Sequence, residues 1–174
     1  YRLSKKLLRK IMTSTGKNAI TKSELAVLIA LLQICDNNYL VEDLHYSELI
    51  IKDNDGKGNI STKSYYNAIR GLKEKGFISY DDARGYRTIH ILNNKIKKKE
   101  HYLSLNYNMF CPGTPENKTY AALPLGAQKL TLYLLFVGHP KFGYTANLIQ
   151  IKESMGYKSE YLLHRYIKLL TPIF

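Results

Sequence analysis

From Ile60 to Ile78 the chain reads ISTKSYYNAIRGLKEKGFI, and its apolar positions follow a helical period. Tyr65, Ala68, Ile69 and Leu72 fall at i, i+3, i+4 and i+7, which predicts one buried face. Thr62, Lys63, Ser64, Tyr66, Asn67, Arg70 and Lys73 lie off that face. Ser61 or Thr62 can cap the first turn, Gly76 supplies a left-handed stop, and Phe77-Ile78 opens an extended segment. Strand 77–80, turn 81–86 and strand 87–92 then predict a β-hairpin.

The same reading extends along the chain. Residues 1–17 form a short basic amphipathic segment, with Leu3, Leu7, Leu8 and Ile11 on one helical face. It suits a helix docked on its neighbours, a DNA-contacting arm or a membrane-surface helix. Thr21 or Ser23 caps a helix over 24–34 that is apolar nearly all round and therefore central. A second helix is expected within 42–51, followed by the loop DNDGKGN. The polar run NNKIKKKE, residues 93–100, has no periodicity and marks a boundary. Beyond it, 102–110 alternates like a strand, and CPGTPENK reads as a loop. Helices are expected over 125–137, 145–154 and 158–170, with a turn at Met155-Gly156-Tyr157. The last helix has its best apolar face at Leu163, Tyr166, Ile167 and Leu170.

The second half repeats the first in element order. Lys63-Ser64, Tyr66, Arg70 and Lys73 align with Lys158-Ser159, Tyr161, Arg165 and Lys168. That register sets Glu160 and His164 against the buried Tyr65 and Ile69, so architecture repeats better than residues do. The expected division is a first domain over 1–94, a basic linker over 95–101 and a second domain over 102–174.

Charge changes the picture. The 174 residues carry 26 Lys+Arg against 14 Asp+Glu, a formal net charge of +12. Such an excess favours a polyanionic partner, nucleic acid before membrane. The Lys, Asn, Ile and Tyr content also fits an AT-rich genome. Cys35 and Cys111 are far apart, without ligand spacing, and no apolar run approaches eighteen residues. A cytoplasmic protein is expected, off the membrane and associated with nucleoid or plasmid. The start at Tyr1 and stop at Phe174 suggest part of a longer chain.

Helix, helix, helix and hairpin in this order resemble a winged-helix domain, with 62–75 as recognition helix. Two in tandem, together with HYLSLNYNMF ahead of LPLGAQKLTLYLLF, resemble Gram-positive plasmid replication initiators and the N-terminal domains of primosomal loader proteins. The resemblance implies a mainly α fold with small β-wings (α+β), two winged-helix (helix-turn-helix) domains with the second wing incomplete, double-stranded DNA as partner, and host replication proteins beside it. A homodimer stays open.

The candidate DNA contacts are Thr62, Lys63, Ser64, Tyr66, Asn67, Arg70 and Lys73 on the first helix. To these are added Arg84, Tyr86 and Arg87 on the hairpin, Lys97 and Lys98 in the linker, and Lys158, Ser159, Tyr161, Arg165 and Lys168 on the last helix. Short polar residues let a helix backbone approach base edges, Asn can read adenine, and Arg can read guanine. Asp81 and Asp82 oppose the hairpin contact.

Rival readings are a transcriptional regulator with the same contacts, a winged-helix protein-interaction module, and a nuclease or relaxase. No glycine-rich phosphate loop, zinc cluster or HExxH appears, and the five histidines are scattered, so no enzyme, cofactor or metal is expected. Residues 53–60 partly match a calcium loop, but Lys57 holds a ligand position and Ser64 replaces the bidentate Glu.

Overall fold

The computed structural model describes residues 1–14, 16–42, 60–83, 86–98, 100–110, 114–138, 147–157 and 159–171. The fold is mainly helical with small antiparallel sheets. Strand β1 (Arg2–Ser4) leads into helix α1 (Lys5–Thr13), and Ser4 caps that helix by accepting from the Leu7 amide. The 1–17 segment is therefore a strand plus a nine-residue helix, which adds a strand to the expected helix.

Helix α2 (Lys22–Ile34) starts at a full capping box. The Thr21 hydroxyl accepts from the Glu24 amide, and the Glu24 carboxylate accepts from the Thr21 amide at 2.7 Å. Eight of its residues are buried, among them Leu25, Leu28 and Leu31, as an all-round apolar helix requires. Asp36 then accepts from the Asn38 and Leu40 amides at 2.8 Å each and turns the chain into strand β2 (Leu40–Val41). Of the helix expected within 42–51, all but Glu42 lies outside the described residues, as do 53–59 of the candidate calcium loop.

Helix α3 (Thr62–Glu74) is capped by Ser61 and buries Tyr65, Ala68, Ile69 and Leu72, the four positions that the periodicity names. Gly76 takes the left-handed backbone at φ 67°. Strands β3 (Ile78–Ala83) and β4 (Tyr86–Ile91) pair from Ile78↔Ile91 to Ala83↔Tyr86, so the paired strands run further than the expected 77–80 and 87–92. Strand β2 pairs with the outer side of β4, giving the order β2-β4-β3.

In the second half the strand expected over 102–110 stops early. Strand β5 covers Tyr102–Ser104, and Tyr107–Phe110 turns into the short helix α4. Leu105, Met109 and Phe110 are buried at i, i+4 and i+5, a helical spacing that the preceding alternation masks. The expected loop over 111–118 is also corrected. Thr114 caps helix α5 (Pro115–Ala122), with proline at its first turn, where the missing N–H costs nothing. Helix α6 (Leu125–Val137) has its expected bounds. Helix α7 (Leu148–Met155) starts at an Asn147 cap, and Gly156 ends it at φ 65°. Helix α8 (Glu160–Leu170) buries Leu163 and Leu170 and half-buries Tyr166 and Ile167.

The buried side chains form one cluster running from Leu3 to Leu170. Strand β1 pairs with β5, and α1 packs on α6 and α7. Asn94, fully buried, clamps this seam: its Oδ1 accepts from the Ser4 amide at 2.7 Å, and its Nδ2 donates to the Arg2 carbonyl at 2.9 Å.

Helices α2 and α3 cross at Gly71, where an added Cβ would lie 2.0 Å from Glu24 Oε1. Lys75 closes the crossing, donating at 2.7 Å to both Glu24 oxygens and at 2.8 Å to the Ala19 carbonyl. Alanine at position 71 favours an isolated helix by about 1 kcal/mol. Here Gly71→Ala is expected to lower stability by about 1–3 kcal/mol, because the clash displaces a carboxylate held by three hydrogen bonds from the Lys75 ammonium and the Thr21 amide. Lys75→Met strands that buried carboxylate and is expected to cost about 3–5 kcal/mol. Asn94→Ala leaves a buried amide and carbonyl unpaired and is expected to cost about 1–3 kcal/mol. Urea midpoints of the three variants against wild type test all three values.

Candidate nucleic-acid interface

Burying the Tyr65–Leu72 stripe fixes what α3 shows to solvent. Thr62, Lys63, Tyr66, Asn67, Arg70 and Lys73 are exposed, and Ser64 is half-buried. The cap is Ser61, which frees Thr62 to be the first helical residue. Ser61 and Ser64 hydroxyls meet at 3.0 Å. Arg70 donates to the Asn67 side-chain oxygen at 2.7 Å, so the two candidate base readers are organised by each other. That bond uses the Asn67 acceptor and leaves the Asn67 amide NH2 and the rest of the guanidinium fork as donors on two exposed side chains. Tyr66 stands 49% exposed with its ring edge-on to Tyr65 at 5.2 Å.

Lys73 is drawn aside. Its ammonium lies 3.8 Å from the Tyr80 ring centroid on β3, a cation–π contact that ties the end of α3 to the hairpin. Sequence reasoning missed this, because it depends on the twist of the hairpin under the helix. Tyr86 and Arg87 sit on β4, paired with Ala83 and Asp82. Arg84 lies outside the described residues.

Lys97 and Lys98 are exposed. The Lys97 amide donates to the Glu100 carboxylate at 3.0 Å, and the Glu100 amide donates back to the Lys97 carbonyl at 2.9 Å, forming a closed turn.

On α8, Tyr161, Arg165 and Lys168 are exposed at i, i+4 and i+7, with Tyr161 at 74%. Ser159 is the N-cap residue, and its hydroxyl makes no capping bond. Lys158 lies outside the described residues. This face differs from that of α3 in its apolar neighbours: Leu162 and Leu169 on α8 and Ile149 on α7 are exposed as well. The helix is held from behind at Gly126, where a Cβ would fall 2.5 Å from the Tyr166 ring. Tyr157 donates to the Gly126 carbonyl at 2.6 Å and packs on Tyr166, and burial pushes its phenol well above the usual range.

Sequence reasoning named the basic N-terminal segment but assigned it no contact residues. Lys5, Lys6 and Arg9 of α1 are exposed, whereas Leu7, Leu8, Ile11 and Met12 are buried. The apolar face is thus fully used in the core, and the membrane-surface reading has no apolar face left to insert.

No group of three or more His, Cys, Asp or Glu gathers among the described residues. Cys35 is half-buried with its thiol pushed up by burial and by Asp36, and Cys111 lies outside the described residues. No described helix is long and apolar enough to cross a membrane. Comparison with known protein families, curated proteins and solved structures returns no match for this chain.

Proposed function

We propose that the chain binds double-stranded DNA in a sequence-specific manner, with α3 entering the major groove as the recognition helix of a winged-helix unit. The observation that carries this reading is the segregation of α3, with Ser64 half-buried between its two faces. Its four apolar positions are in the core, and its hydroxyl, amide and cationic side chains face solvent in a chain of net charge +12. Phosphate contacts supply affinity and base-edge contacts supply discrimination. Lys63 serves the first role; Asn67 and Arg70 serve the second.

The hairpin supports the winged-helix reading. It follows α3 after the three residues Lys75, Gly76 and Phe77, is braced by β2, and is pinned to the helix by Lys73 on Tyr80. In the second half, the face of Tyr161, Arg165 and Lys168 on α8 is the counterpart, and two such units suit a repeated site. The biological role we favour is replication initiation on a plasmid or other mobile element. A transcriptional regulator uses the same side chains and differs only in where its site lies.

The exposed Leu162, Leu169 and Ile149 favour a protein contact on the second half, with a second copy or a host replication protein as occupant.

The test is selection of a duplex from a random pool, followed by anisotropy titration at several salt concentrations. Wild type is expected to prefer the selected duplex and to weaken linearly in log–log salt. Asn67→Ala and Arg70→Ala are each expected to lose roughly 1–3 kcal/mol of preference while keeping the salt slope within about one unit. Binding that ignores both salt and sequence would sink the proposal.

A further inference from the structure

The cationic face of α1 is unused by the reading above. The helix reads KKLLRKIMT and contains no acidic residue. Lys5 and Lys6 occupy its first turn, where the helix dipole disfavours positive charge. Lys5 and Arg9, like Lys6 and Lys10, stand at i and i+4, where like charges repel. Among the described residues no carboxylate comes within the 4.0 Å of an ion pair with Lys5, Lys6 or Arg9. The arrangement is costly for an isolated helix, and a bound polyanion relieves every part of the cost.

Geometry gives the face a shape. Lys5, Lys6, Arg9, Lys10 and Thr13 line an open groove of ≈ 440 Å³, with Glu100 at its rim. A second depression shares Lys10 and Thr13 with it and runs on to Glu74 and Lys75 at the end of α3. Lys10 fixes this junction. Its ammonium donates to the Gly76 carbonyl and lies 4.6 Å from the Phe77 ring centroid. Burial and the neighbouring Lys6 both lower its affinity for a proton. At the other end, the hydrogen-bonded Lys97–Glu100 turn brings the basic 95–98 segment beside the rim. The two depressions together run from Glu100, past the cations of α1, to Glu74 and Lys75 at the end of α3.

We infer that the α1 groove is a second nucleic-acid contact. It takes the sugar–phosphate backbone of the duplex that α3 reads, through Lys5, Lys6 and Arg9, without regard to sequence. This rests on the DNA reading of α3. Anionic lipid is the weaker partner for the same charge, because Leu7, Leu8, Ile11 and Met12 are already buried and none remains to enter a bilayer. Lys10 is a positioning residue, holding α1 against the turn that ends α3.

The test is a triple variant, Lys5→Gln, Lys6→Gln and Arg9→Gln, in the full chain. All three side chains are exposed and their mutual repulsion is removed, so the variant should melt no lower than wild type. Anisotropy is read on the selected duplex and on a random duplex across salt. The log–log slope is expected to fall by nearly three, at about 0.9 for each phosphate left without its cation, on both duplexes alike. The ratio of the two affinities should stay unchanged, the reverse of what Asn67→Ala does. Should the triple variant melt early, Lys5→Gln alone is expected to lower the slope by about one. A wild-type slope in the variants overturns the inference and leaves the α3 reading standing. Competition of duplex by phosphatidylserine vesicles, lost in the triple variant, overturns it in favour of a lipid surface. A wild-type protein that binds no duplex overturns the α3 reading, and this inference with it.

Discussion

The Glu24 carboxylate holds the first half of the molecule in register. It closes the capping box of α2, accepts from the Lys75 ammonium at 2.7 Å on both oxygens, and occupies the space that the absent Cβ of Gly71 leaves open. Side-chain exposures of 6% for Glu24 and 13% for Lys75 place the pair out of water. A buried pair of this kind adds little net stability, since desolvation offsets most of the Coulomb attraction. Its effect is on geometry. The start of α2 is fixed to the end of α3 by a contact that tolerates neither sliding nor rotation. With α3 so held, the Tyr65–Leu72 stripe points into the core, and Lys63, Asn67 and Arg70 point away from it.

How much of this could be read from the chain depends on how local each signal is. Helix α3 was legible because its apolar spacing, serine cap and glycine stop all lie within about twenty residues and agree. Helices α2 and α6 were legible from continuous apolar runs. Strands β1 and β2 were not, because two or three residues carry no period, and their partners lie about a hundred and about fifty residues away. The run from Tyr102 to Phe110 misled because alternation at its start conceals a helical turn at its end. Proline and glycine before Glu116 suggested a loop, although Thr114 followed by Pro115 is a helix start. Nothing local marks Glu24 as the partner of Lys75, fifty-one residues on.

The candidate interface divides the same way. Which α3 residues are exposed follows from which are buried, so that set was available from periodicity. What the residues do to one another was not. The Asn67–Arg70 bond and the Lys73–Tyr80 stack depend on rotamers and on the path of the hairpin. The basic N-terminal segment admitted three readings, and the burial of its whole apolar face counts against the membrane-surface one.

These contacts sort the net charge into two populations. Lys10, Lys73, Lys75 and Lys152 are engaged with a carbonyl, an aromatic ring or a carboxylate, and they serve the fold. Lys5, Lys6, Arg9, Lys63, Lys97 and Lys98 are exposed, and no described carboxylate pairs with them. A formal charge of +12 would steer any polyanion toward the surface without orienting it. The division supplies an orientation. Lys10, Lys73 and Lys75 tie α1, the hairpin and the start of α2 to the end of α3, Lys152 joins α7 to α8, and the exposed cations lie along α1, on α3 and in the segment beside Glu100. A polyanion drawn to those cations would meet side chains carried largely on packed helices, so the loss of freedom on binding would fall mainly on the charged tips.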